Sequence, residues 1–202
     1  FKNDSTMKKL LILLFSIFFL SSPSVFADDI SDFQIEGMTI GDSLLDYFSE
    51  KTIQDSINHD YYTKFKEGNK FVRVEFWKLD MEIYDVLSAH IKPNDKNYII
   101  YELSGAILFE ENVSDCDFEQ NKVDNELNLL FGNTQRVDSG WRFHYGDDTG
   151  QSTYHRVDFY FPTGNSINIT CYDWSLAKGY SDHLNVGLAA KELTSWLTSL
   201  ER

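Results

Sequence analysis

Two sets of residues in this chain have the types and spacing to do chemistry. The first pairs a hydroxyl with a base. Ser43 stands in Gly41-Asp42-Ser43-Leu44, and Asp182-His183 stands near the C-terminal end. A serine becomes a useful nucleophile when an imidazole takes its proton and a carboxylate orients that imidazole. Ser43, His183 and Asp182 are therefore the candidate catalytic residues. The second set is a row of rings and polar groups. In Ser166–Tyr172 a period of two puts Ile167, Ile169 and Cys171 on one side and Asn168, Thr170 and Tyr172 on the other, with Trp174 just beyond. In Tyr154–Phe161, Val157, Phe159 and Phe161 share one side; Arg156, Asp158 and Tyr160 share the opposite one. Arg156, Tyr160, Tyr172 and Trp174 are the candidate binding residues, because such a face stacks on a sugar, peptide or other polar ligand.

The chain has two cysteines, Cys116 and Cys171, and no Cys-x-x-Cys or paired Cys/His spacing. They are expected to form one disulfide between a helix and a strand, as an even count favours in an exported chain. No metal site is expected. Asp115, Asp117 and Glu119 read as carboxylates at a helix N-terminus, and Asp147-Asp148 as a solvated turn, since neither has the oxygen-ligand loop of a calcium site. The five histidines lack ligand spacing. No cofactor is expected. A formal net charge of −14 argues against nucleic acid and against an anionic membrane surface as partners.

The elements that position these residues follow from periodicity. Residues 1–27 read as upstream residues and a cleaved signal peptide: Met7-Lys8-Lys9, an apolar run from Leu10 to Leu20, and a cut after Ala27. The run is too short for an ordinary membrane span, and no later segment is apolar enough, so no span is expected after cleavage. Residues 28–202 read as a single α+β domain. Within 28–70, Thr39–Ser49 reads as a capped short helix with Leu44, Leu45 and Phe48 on one face, followed by a helical turn near Ile53 and an irregular segment with Tyr61, Tyr62 and Phe65.

Residues 71–132 and 133–202 read as similar halves, each three strands and then a helix. The strands are Phe71–Trp77, Ile83–Ile91, Tyr98–Phe109, Trp141–Tyr145, Tyr154–Phe161 and Ser166–Tyr172. The helices begin at Ser114-Asp115, with Cys116, Val123, Leu127 and Leu130 inward, and at Asn185. The second carries Val186, Ala189, Ala190, Leu193, Trp196, Leu197 and Leu200 at helical spacing. The expected architecture is an antiparallel six-stranded sheet with the helices packed on one face.

Two resemblances add to this. Gly41-Asp42-Ser43-Leu44 is similar to the opening motif of the GDSL lipases and esterases, which implies Ser43 as nucleophile and His183 as base. Position 180 is Tyr180 where that family has an aspartate, and no Gly-x-Asn-Asp supplies oxyanion donors. Over most of the chain, the blocks Ile40–Ser49 and Cys171–Ser175 resemble the uncharacterised exported proteins of marine alphaproteobacteria. That resemblance implies a periplasmic setting and no particular activity. The leading expectation is thus an exported, periplasmic, non-enzymatic module that binds a small polar ligand or an envelope protein. The alternatives are a GDSL-like serine esterase using Ser43 and His183, and a purely structural envelope component.

Overall fold

A computed structural model describes residues 30, 33–57, 70–77, 80–110 and 112–200. The signal-peptide reading of residues 1–27 and the aromatics Tyr61, Tyr62 and Phe65 lie outside the described residues. A 3-10 turn, Leu44–Asp46, is followed by α1 (Glu50–Ile57) and the strands β1 (Val72–Trp77), β2 (Val86–Ile91) and β3 (Glu102–Glu110). Then come α2 (Val113–Leu130), β4 (Gln135–Phe143), β5 (Thr153–Tyr160), β6 (Ser166–Asp173), β7 (Asp182–Ala189) and α3 (Lys191–Leu200).

The strands form one antiparallel sheet of seven, in the order β1-β2-β3-β7-β6-β5-β4. This corrects the expected six-stranded sheet and its two three-strand halves. The extra strand is β7, in a stretch read partly as loop and partly as helix. Val186, Ala189, Ala190 and Leu193 do fall at helical spacing. However, Leu184, Val186 and Leu188 also alternate with His183, Asn185 and Gly187, and all three apolar residues are fully buried. The strand form wins because it gains two hydrogen-bonded neighbours and joins β3 to β6. A helix there would contain Gly187, a poor helix former. In the strand, Gly187 is needed: a Cβ would meet the Asn168 side chain at 2.9 Å and Ser104 at 3.3 Å. The helix starts only at Lys191.

Register fixes which residues share a face. Val74, Leu87, Ala89, Leu103, Leu188, Val186, Ile169, Ile167, Val157 and Phe159 line one face and belong to a single core cluster. The helix α2 crosses β3, β7 and β6 on this face and carries the chain from the sheet centre to its far edge. Its Cys116, Val123 and Leu127 are buried. Buried Gln120 donates through Nε2 to the carbonyls of His155 (2.7 Å) and Ile169 (3.1 Å), pinning helix to sheet. Arg136 of β4 grips Asp124 of α2 with two bonds, at 2.8 and 2.7 Å, the bidentate geometry that guanidinium favours. Cys116 and Cys171 are disulfide-bonded, with Cα atoms 5.9 Å apart. The bond joins α2 to β6 and fits an oxidising compartment.

The N-terminal segment and α1 cover the β1 end of the same face. Ile35, Met38, Leu44 and Ile53 enter the core cluster, and Phe48 stacks on Phe76 at 4.3 Å. Ser56 Oγ donates to the Glu75 carbonyl (2.7 Å) and accepts from the Glu75 N–H (2.9 Å). The β1 edge is thereby partly satisfied, which blunts strand-to-strand association. On the core face of β3, the Tyr84 ring lies over Gly105, where a Cβ would come within 2.4 Å of it. Among the described residues, no helix is long and apolar enough to cross a membrane.

Candidate functional site

Ser43 and His183 are not brought together. Ser43 is the N-cap of the 3-10 turn: its Oγ accepts from the Leu45 N–H (3.1 Å) and donates to the Asn97 carbonyl (2.5 Å). The first bond caps the turn and the second ties it to the segment before β3; nearby, Thr39 N–H donates to Asp42 Oδ2 at 3.0 Å. Ser43 bridges Ile99, ahead of the start of β3, whereas His183 pairs with Leu108 near its other end. The strand from Glu102 to Leu108 alone spans about 20 Å. Asp182 does not orient an imidazole for Ser43. Its Oδ1 accepts from the Trp174 backbone N–H at 2.8 Å, and the His183 Nδ1 lies 2.9 Å from the Ser181 carbonyl.

His183 instead belongs to a group of rings on the sheet face away from α2. It pairs directly across β6–β7 with Tyr172, and the two rings stack at 4.7 Å. Tyr172 lies parallel to Trp174 at 5.7 Å, with 9° between planes. Trp174 meets His144 at 4.5 Å and Tyr180 edge-on at 5.0 Å. Tyr154 approaches Tyr172 at 6.3 Å and His144 at 6.0 Å, and Tyr145 stacks on His144 at 5.2 Å. Seven rings from β5, β6, β7 and the adjoining loops thus form one connected set. Tyr145 is 95% exposed and Tyr180 61%, while Tyr172, Trp174, Tyr154, His144 and His183 are half-buried. Burial pushes the Tyr172 hydroxyl pKa up and the His183 and His144 pKa values down, which favours the neutral form of each imidazole. The Trp174 indole N–H finds no acceptor among the described residues.

Two carboxylates hold the loops that carry these rings. Asp182 fixes the backbone of Trp174. Asp147, fully covered, accepts from the Ser152 N–H (2.8 Å) and Oγ (2.6 Å), and from the Thr149 N–H (2.9 Å) and Oγ1 (2.7 Å). Ser175 closes the link, donating its N–H to Ser152 Oγ at 3.0 Å and its Oγ to Asp147 at 3.3 Å. The His144–Ser152 loop and the loop after Trp174 are thus tied to one carboxylate. The Ser152 and Thr149 donors hold that carboxyl far below the usual carboxylate range.

Of the sequence-derived binding residues, Tyr172 and Trp174 stand at the centre of the ring set. Arg156 shares their sheet face, with its guanidinium forked onto Asp158 at 2.6–2.9 Å. Tyr160 is at the other end of β5, opposite Ser166 and Gln135, about 20 Å from Tyr154 by strand rise, and does not join. His144, Tyr145, Tyr154, Tyr180 and His183 were missed as partners. For Tyr154 a signal existed: it has the same parity as Arg156. For the others, proximity comes from loop folding and from β7. Among the described residues, no group of three or more His, Cys, Asp or Glu is placed to hold a metal ion.

No protein-family model matches the chain, and no curated protein sequence matches it. Among solved structures, the chain is similar to a mutant of protein Mog1, with 13% sequence identity over 69% of this chain and 84% of that one, at a TM-score of 0.31. A likeness at that score carries no argument about activity or partners.

Proposed function

We propose that this chain is an exported, periplasmic, non-enzymatic module that binds a small saccharide-like ligand on the ring platform around Trp174. The observation that carries this reading is the set of seven rings in mutual contact, braced from behind by Asp147 and Asp182. Rings bury large area at low conformational cost, and their polar tips remain available at the edge of the contact. A saccharide matches both features, with a CH-rich face for the rings and hydroxyls for the tips of His183, His144, Tyr154 and Tyr180. The leader-like run at Met7–Ala27 and the Cys116–Cys171 disulfide support the exported setting.

A thermal-shift screen of the oxidised protein against saccharides, amino acids and polyamines tests the proposal. Saccharides are expected to raise Tm, and Trp174→Ala to abolish that shift. Absence of a shift with every class overturns the ligand reading and leaves docking to an envelope protein or a structural role.

A further inference from the structure

The opposite end of β7 holds a second assembly, built from three segments distant in sequence. A cleft of about 600 Å³ is lined by Lys70, Lys191, Glu192, Ser195, Trp196 and Ser199. It shares Lys70 with a smaller neighbouring hollow walled by Lys92 and Asp95. Lys70 and Lys92 both clasp Glu192, each at 3.1 Å. Lys92 Nζ sits 4.3 Å from the Tyr101 ring centroid. The rings of Tyr101, Phe71 and Trp196 pack in series, at 5.0 and 5.3 Å.

We infer that this cleft binds a small anion carrying a planar ring, such as an aryl phosphate or aryl carboxylate, through Lys70, Lys92 and Lys191 with Trp196 as the apolar wall. Two ammonium groups, of Lys70 and Lys92, clasp Glu192, and Lys191 lines the same cleft, in a chain whose overall charge is −14. The Asp95 carboxylate on the rim accepts from the Asn97 N–H at 2.9 Å and remains a negative charge. Lys191 makes no ion pair among the described residues. Three lysines against the two carboxylates Glu192 and Asp95 leave a surplus of one positive charge. Glu192 is a built-in competitor: it occupies the two ammonium groups that an incoming anion would use. Ammonium groups act as point charges that serve phosphate and carboxylate alike. The aromatic wall adds stacking area for a planar body. This site is independent of the Trp174 platform, since about 20 Å of β7 separates them.

The test is titration of the full chain with phenyl phosphate, followed by NMR shifts of the 191–199 amides and the Trp196 indole. Saturable shifts at low salt are expected, weakening as salt rises. Lys70→Gln, Lys92→Gln and Lys191→Gln should each weaken binding, and Glu192→Gln should tighten it about two- to fivefold. A merely structural Glu192 predicts no tightening. All four positions are at the surface, and circular dichroism verifies that each variant is folded. The inference is overturned if phenyl phosphate gives no saturable shift, if neutral benzyl alcohol shifts the same resonances equally, or if Glu192→Gln fails to tighten binding.

Discussion

The two ends of β7 solve the problem of holding side chains at a surface in different ways. At the Asp182 end, rings pack on rings, and the carboxylates behind them are satisfied by hydroxyl and amide donors from adjoining loops. At the Ala189 end, lysines are held by one exposed carboxylate, Glu192, which is itself 42% exposed. The first arrangement is fixed: Asp147 sits inside a closed set of donors. The second is exchangeable, because exposed ion pairs contribute little and an external anion competes with them on equal terms. A single global charge conceals this difference. The same acidic chain presents a neutral aromatic face at one end and a cationic pocket at the other.

The largest expected effect falls on the fixed end. Cys116→Ser with Cys171→Ser opens a loop with a sequence separation of 55, and the chain-entropy relation gives about 4 kcal/mol of lost stability. Urea denaturation of the oxidised and double-serine proteins measures it; a loss below about 1 kcal/mol would remove the disulfide from the account. Asp147→Asn comes next. It should lower Tm and shift the fluorescence of Trp174 to the red, while leaving phenyl phosphate binding at Lys191 unchanged. Equal damage at both ends would show that the two ends do not differ as described.

A third prediction concerns acid. Burial lowers the His183 pKa in the folded state, so the unfolded chain binds the proton more readily. The stability tied to this residue is complete above the ordinary histidine pKa of about 6.5. It is lost as pH falls below that value and through the lower folded one. His183→Gln should therefore flatten the decline of stability between neutral and mildly acidic pH; an unchanged profile would contradict the burial argument. The smallest effect is expected at Lys51–Asp55, an exposed i,i+4 pair on α1. Lys51→Ala should change stability by no more than about 0.5 kcal/mol, which sets the background for the other variants.

Much of this was legible from residue order. The alternation in β5 and β6 gave the correct faces for Arg156, Asp158, Ile169, Cys171 and Tyr172, because side-chain direction in a strand is local. The pairing of Cys116 with Cys171 followed from an even count. A cap within Thr39–Ser49 was legible, and the structure gives that role to Ser43, ahead of a 3-10 turn over Leu44–Asp46. The missing strand was illegible for a specific reason: Leu184 to Leu193 satisfies both periods, and only the presence of β3 and β6 on either side decides between them. The Lys70–Lys92–Lys191 cleft had no sequence signal, since its members are placed by sheet order. Four-letter identity at Ser43 pointed toward a hydrolase, but His183 is positioned by β7 at the far end of β3.

The functional proposal turns on ligand being held at Trp174. Isothermal titration of the oxidised protein with triacetylchitotriose and maltotriose, alongside Trp174→Ala, Tyr172→Ala and Ser43→Ala, tests it most directly. The expected result is a saturable heat with at least one saccharide, lost in Trp174→Ala, reduced in Tyr172→Ala and unchanged in Ser43→Ala. No heat with either saccharide, or binding that survives Trp174→Ala, would contradict it.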